Sequence, residues 1–141
     1  MCKEGTLWSD VDKKARDVVA EGLMRLGIIS KKEDSRKYYP HGLGHHIGLD
    51  VHDRAASPKL KRNMVLTVEP GIYIPEDSPC DKKWWGVAVR IEDDVLIKEK
   101  DYELLSIAAP RKIEDVEKMI AEKSAIDNFV LPKLKSGKKA F

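Results

Sequence analysis

Between residues 41 and 52 the chain reads "HGLGHHIGLDVH", a stretch that holds every histidine in the sequence: His41, His45, His46 and His52. Gly42, Gly44 and Gly48 share the stretch, and each would cost ~1 kcal/mol relative to alanine inside a helix, so a regular helix is disfavoured. The segment must run extended or turning, with glycines that let its backbone pass close to something else. Imidazoles placed for packing would be scattered. Their clustering points instead to ring nitrogens converging on one task, as ligands or as acid–base groups. His41 and His45 have the i, i+4 spacing of the helical HExxH zinc motif, but Gly42 stands where that motif needs glutamate, so this reading fails. For any single histidine a bond to nearby backbone is the plain alternative, and His46 is read as passive.

The flanking segments suggest what carries this stretch. "SDVD" offers Ser9 as an N-cap with an acid three residues on, and Val11, Ala15, Val18, Gly22 or Leu23, and Leu26 then recur at helical spacing up to Gly27, a C-terminal stop. "SKKEDSRKYYP" reads as a loop and "RAASPKLKRN" as an exposed connection. "MVLTVEPGIYI" has the β-branched content of strands, interrupted at Pro70-Gly71. After a second loop, "PEDSPCDKKWW", the segment "GVAVRIEDDVLI" alternates with period two. "RKIEDVEKMIAEKSAI" is a second amphipathic helix, with Ile113, Val116, Met119 and Ile120 on one face. Helix, loop, strands and helix in that order predict an α+β domain with a largely antiparallel sheet.

Two carboxylates stand out. In "VLTVEP", Val65, Thr67 and Glu69 share a strand face, so Glu69 follows an otherwise buried stripe, and a carboxylate there is costly unless paired or bound to a cation. A strand-end glutamate in solvent is the alternative. In "VAVRIEDD", Val87, Val89 and Ile91 point one way, and Arg90 and Glu92 the other. Such a pair is commonly a solvated surface, yet arginine also holds carboxylates bidentately and could orient metal-binding acids. If Glu69 and Glu92 approach His45, one imidazole and two carboxylates would suit manganese, iron, cobalt or zinc acting on a bound water.

Composition narrows the partners. Twenty-six basic residues face 24 acidic ones, a net charge of +2, which gives no strong pull toward nucleic acid or membrane. No apolar run is long enough to span a bilayer, and the two cysteines, Cys2 and Cys80, form no CxxC, which fits a reducing compartment and a cytoplasmic location.

Taken together and in this order, "HGLGHHIGLDVHD", "VLTVEPGIY" and "VRIEDDVLI" resemble the C-terminal motifs of the pita-bread metallopeptidases of the M24 type, most of all Xaa-Pro aminopeptidase (aminopeptidase P) and its relative prolidase. The resemblance runs from about Lys3 to Ile120, through "YELLSIAAPRKIEDVE". It implies a pita-bread (creatinase/aminopeptidase) fold, of which this would be the C-terminal half, a curved antiparallel sheet with flanking helices over residues 1–124 and a tail over 125–141. It also implies a role for each residue. His45, Glu69 and Glu92 would bind metal, with Glu69 near the attacking water and Glu92 bridging two ions. His41 would contact substrate near the scissile bond, and His52 would stabilise the tetrahedral intermediate. Arg90 and Tyr73 would hold the metal-binding acids in place. The cofactors implied are two divalent ions, manganese first, with cobalt, zinc or iron as alternatives. The substrate implied is a peptide with proline at its second position, hydrolysed by metal-activated water.

Members of the family use two further aspartates and another histidine upstream of the helix that begins near Ser9. Asp10 and Asp12 lie at the helix start and do not match those aspartate motifs, while Asp50 and Asp53 belong to the histidine motif. The resemblance thus implies three of five metal ligands and a chain inactive by itself. Prolidase is the neighbouring reading, and a non-catalytic peptide-binding module of the same fold is a rival from another class. A homo-oligomer that covers the exposed half-site is a third.

Overall fold

The computed structural model describes residues 1–55, 57–124, 126 and 128–130. Most of the tail expected over 125–141 therefore lies outside the described residues. The chain divides into two compact units, Met1–Ala109 and Pro110–Phe141.

The first unit opens with helix α1, Trp8–Arg25. Its N-cap is Leu7 rather than the expected Ser9, and no side chain caps it; the Leu7 carbonyl accepts instead from the amides of Asp10 and Val11. Gly27 ends the helix as expected. At φ +70 it lets its own amide reach the Met24 carbonyl and that of Ile28 reach Leu23, the paired bonds of a Schellman stop.

Six short strands follow: β1, His46–Ile47; β2, Val65–Val68; β3, Gly71–Tyr73; β4, Ala88–Arg90; β5, Asp93–Ile97; and β6, Tyr102–Leu104. All pairings are antiparallel, as predicted. They form two sheets, one in the order β1-β2-β5-β6 and one of β3 with β4. The expected interruption at Pro70-Gly71 is where the chain leaves the first sheet for the second. A return crossing at Ile91-Glu92 splits the segment that reads as one alternating strand.

One face of the larger sheet builds the core. Leu66 and Val95 are cross-strand partners and pack with Ile97, Leu43, Leu60 and Val11 of α1. Leu60 lies in the stretch read as an exposed connection, yet it is 1% exposed, drawn in as the amide of Gly5 bonds its carbonyl and its own amide bonds Thr6. A second cluster gathers Leu23, Ile28, Ile29, Tyr38 and Ile74, with Ile72, Trp84 and Trp85 against it. Tyr38 and Tyr39 also correct the reading of their segment as a loop: residues Lys32–Lys37 form a 3-10 helix, and both tyrosines are buried behind it. The second loop likewise holds a turn of 3-10 helix, Lys82–Trp84, capped by the Asp81 side chain.

Within the second unit, α2 spans Ile113–Ala121, and Ile113, Met119 and Ile120 are exposed among the described residues. No helix of the described residues is long and apolar enough to cross a membrane.

Candidate metal centre

The histidine segment is an edge strand in all but its glycines. Beyond the β1–β2 pairs His46↔Leu66 and Ile47↔Val65, the ladder continues upstream: Thr67 N–H donates to the His45 carbonyl at 2.9 Å and Glu69 N–H to that of Leu43 at 2.7 Å. His45 thus lies opposite Thr67, and Glu69, two residues on, is its diagonal neighbour on the same face. Gly44 explains the close approach. A Cβ there would collide with the Thr67 carbonyl, so this glycine admits strand β2 itself.

Thr67, fully buried, ties the two groups together. Its hydroxyl accepts from the His45 amide at 3.0 Å and donates to Glu69 Oε1 at 2.9 Å. Glu69 is accordingly held inside, its side chain 13% exposed, which removes the reading of a strand end in solvent. His45 Nδ1 lies 3.1 Å from the His46 carbonyl and donates to it, so the Nε2 lone pair faces Glu69 Oε1 at 3.4 Å. Two such groups facing each other could hold a cation between them, and a ring whose other nitrogen is fixed by a carbonyl is the usual arrangement of a metal-binding histidine.

Glu92 completes the group. The β2–β5 register ends at Val68↔Asp93, and one further step sets Glu69 opposite Glu92. Like charges placed so destabilise a sheet unless a cation sits between them. One ligand atom from each of His45, Glu69 and Glu92 lies within 4.8 Å of the others; Glu92 is exposed, the other two half-buried. A single imidazole with two carboxylates fits a first-row divalent ion. Among the described residues this is the one group of its kind.

Around it stand the remaining predicted residues. Arg90 Nε lies 3.8 Å from Glu69 Oε2, and its guanidinium is 5.6 Å from the centre of the Tyr73 ring. The arginine thus faces Glu69 across the seam, where the alternating pattern sets it beside Glu92. Tyr73 meets His41, its hydroxyl 3.0 Å from Nε2, while His41 Nδ1 lies 2.7 Å from the Gly42 carbonyl. Since that carbonyl can only accept, Nδ1 carries the proton and Nε2 accepts from Tyr73. Gly71 makes room for this pair, since a Cβ would meet both the Tyr73 hydroxyl and the His41 ring. His52 is exposed and stacks tilted on His45, ring centres 4.2 Å apart. Sequence reasoning missed Thr67 as a linker, Gly71 as a spacer and Tyr39, whose ring packs edge-on against His41 at 5.0 Å. The period-two pattern already set Thr67 on the Glu69 face; nothing in the pattern marked the other two.

This geometry makes comparison with known proteins direct. The signature of metallopeptidase family M24 matches residues 1–99, and the chain belongs to that family. It is 40% identical over 124 residues to the Xaa-Pro aminopeptidase of Haemophilus influenzae, covering 77% of this chain and 29% of the relative. It is 36% identical over 122 residues to intermediate cleaving peptidase 55, mitochondrial, of Arabidopsis thaliana, covering 84% of this chain and 25% of that protein. Zinc-substituted Escherichia coli aminopeptidase P in complex with product superposes with a TM-score of 0.74 at 34% identity, over 88% of this chain and 31% of that one. The chain spans between 25% and 31% of the length of these proteins. The family resemblance and the α+β fold with antiparallel sheets are borne out.

Proposed function

We propose that this chain carries part of the metal centre of a dinuclear metallo-aminopeptidase that releases the N-terminal residue from peptides with proline in second position. The convergence of His45, Glu69 and Glu92 within 4.8 Å supports it above all. Two divalent ions are the cofactors of this reading, manganese first and cobalt, zinc or iron as alternatives, since one nitrogen and several carboxylate oxygens suit all four. Such ions supply a water of lowered pKa and positive charge beside the carbonyl oxygen.

The chain's own residues then have these tasks. His45 offers Nε2, aimed by the His46 carbonyl at Nδ1. Glu92 bridges. Glu69, one oxygen held by Thr67 and the other facing Arg90, would help hold metal and would be the carboxylate placed to carry a proton toward the leaving amine. His41 contacts substrate beside the scissile bond, and His52 steadies the charge that develops on the carbonyl oxygen. Tyr73 and Arg90 keep His41 and Glu69 in place. Residues 1–124 form the catalytic portion in this reading, 125–141 a tail, and the compartment is the cytoplasm.

Calorimetric titration with manganese chloride, beside a His45→Ala control, tests the metal centre. Hydrolysis of a fluorogenic Xaa-Pro-Pro peptide against its Xaa-Ala counterpart tests the chemistry. Saturable binding lost in the control and cleavage confined to the proline peptide support the whole reading. Binding without cleavage restricts the chain to holding metal, as three of five ligands would. Manganese binding that survives in His45→Ala overturns the site.

A further inference from the structure

Helix α1 reaches across to the histidine segment with two side chains that have no part in the centre described above. Arg16 Nε donates to Asp12 Oδ2 at 2.7 Å, its Nη2 to the His41 carbonyl at 2.8 Å and its Nη1 to the Tyr39 carbonyl at 3.4 Å. The same guanidinium lies 4.9 Å from the centre of the Tyr39 ring, which packs on His41. The other oxygen of Asp12, Oδ1, accepts from the Leu43 amide at 2.9 Å. Both side chains are about three-quarters buried, at 23% and 26% exposed.

One of these bonds has an unusual partner on its far side. The Leu43 N–H and the Gly42 C=O belong to a single peptide group, and in a trans peptide they point in opposite directions. Asp12 grips the N–H, while His41 Nδ1 sits 2.7 Å from the carbonyl. A carboxylate on the N–H fixes the plane and strengthens the carbonyl as an acceptor, because hydrogen bonds through a polarisable group reinforce one another. We propose that Asp12, held by Arg16, sets His41 in its Nδ1–H tautomer through the Gly42–Leu43 peptide group, leaving Nε2 as the acceptor beside Tyr73. Asp12 and Arg16 are positioning residues. The tautomer follows from the geometry alone, and only its bearing on peptide hydrolysis rests on the function proposed above.

The four histidines of the chain make the test clean. Long-range proton–nitrogen spectra of the 15N-labelled chain at about pH 8.5, where imidazoles are ordinarily neutral, distinguish each ring's tautomer. The native chain should show His41 as Nδ1–H. Asp12→Ala should move it toward Nε2–H and speed exchange of the Leu43 amide by about tenfold, as loss of a charge-assisted hydrogen bond requires. Asp12→Asn keeps an acceptor oxygen and should restore the native tautomer, which a mere loss of stability would not. The His52 tautomer should not change in either variant. Should Asp12→Ala not fold, Arg16→Met serves in its place, with faster Leu43 exchange and a mixed His41 tautomer expected. A native His41 in the Nε2–H form, or a tautomer and a Leu43 exchange rate unchanged in the folded variant, overturns the proposal. None of these readouts needs metal or activity, so failure of the peptidase reading would leave them standing.

Discussion

Glu69 and Glu92 approach each other from two different crossings between sheets, with the Nε2 of His45 at 3.4 Å from the first of them. In a metal-free chain this juxtaposition is a liability, since opposed like charges cost a few tenths to ~1 kcal/mol in a sheet. Glu92→Gln should therefore stabilise the metal-free chain slightly, by about 0.5 kcal/mol. It should also abolish the rise in melting temperature that manganese gives the native chain, because an ion bound only to the folded form stabilises by mass action. Thermal denaturation with and without manganese chloride checks both halves.

Thr67 predicts a larger effect from a smaller change. Thr67→Val keeps the shape but leaves the half-buried His45 amide without its acceptor and Glu69 without its donor. Denaturant unfolding should show a loss of about 2 kcal/mol, and Thr67→Ser, which keeps the hydroxyl, should recover most of it.

Gly71 stands where His41 and Tyr73 meet, so Gly71→Ala forces one of them aside. We expect a loss of about 1–3 kcal/mol, as overpacking costs. The His41–Tyr73 hydrogen bond should be lost too, visible as a shifted His41 ring resonance.

Tyr39 ties stability to pH. Its hydroxyl is buried without a hydrogen-bond partner among the described residues, so Tyr39→Phe should stabilise by about 1 kcal/mol at neutral pH. Burial, reinforced by Asp12, raises the Tyr39 phenol above its ordinary value of 10.0, and burial raises that of Tyr38 as well. A raised pKa means stability complete below the unfolded value and lost as pH climbs through the folded one. Burial raises the Cys2 thiol as well, so both chains should lose stability in alkali, and above about pH 10 the fall in melting temperature should be less steep in Tyr39→Phe.

Much of the centre is legible in the sequence because its signals are short-range. Glycines among histidines exclude a helix, and Thr67 with Glu69 obeys the two-residue period of a strand. The rest depends on which segments become neighbours. Alternation in "VRIEDD" runs unbroken through the crossing at Ile91-Glu92, where no glycine or proline announces it, so the pattern sets Arg90 beside Glu92 but does not show that it also faces Glu69. Leu60, one apolar residue among lysines and arginines, has no period to reveal it. The 3-10 helix before Tyr38 and Tyr39 is too short to show one. Asp12 looks like any acid at a helix start, and its grip on Leu43 spans 31 residues.

The two crossings have a mechanical consequence. Glu69 precedes Pro70 on the outward passage from the larger sheet to the β3–β4 pair, and Glu92 follows Ile91 on the return. Each acid therefore sits where the chain passes between the larger sheet and the β3–β4 pair, opposite the other in the register that continues from one to the other. An ion gripped by both would tie the outward passage to the return one, joining the two sheets at the point where the chain changes from one to the other.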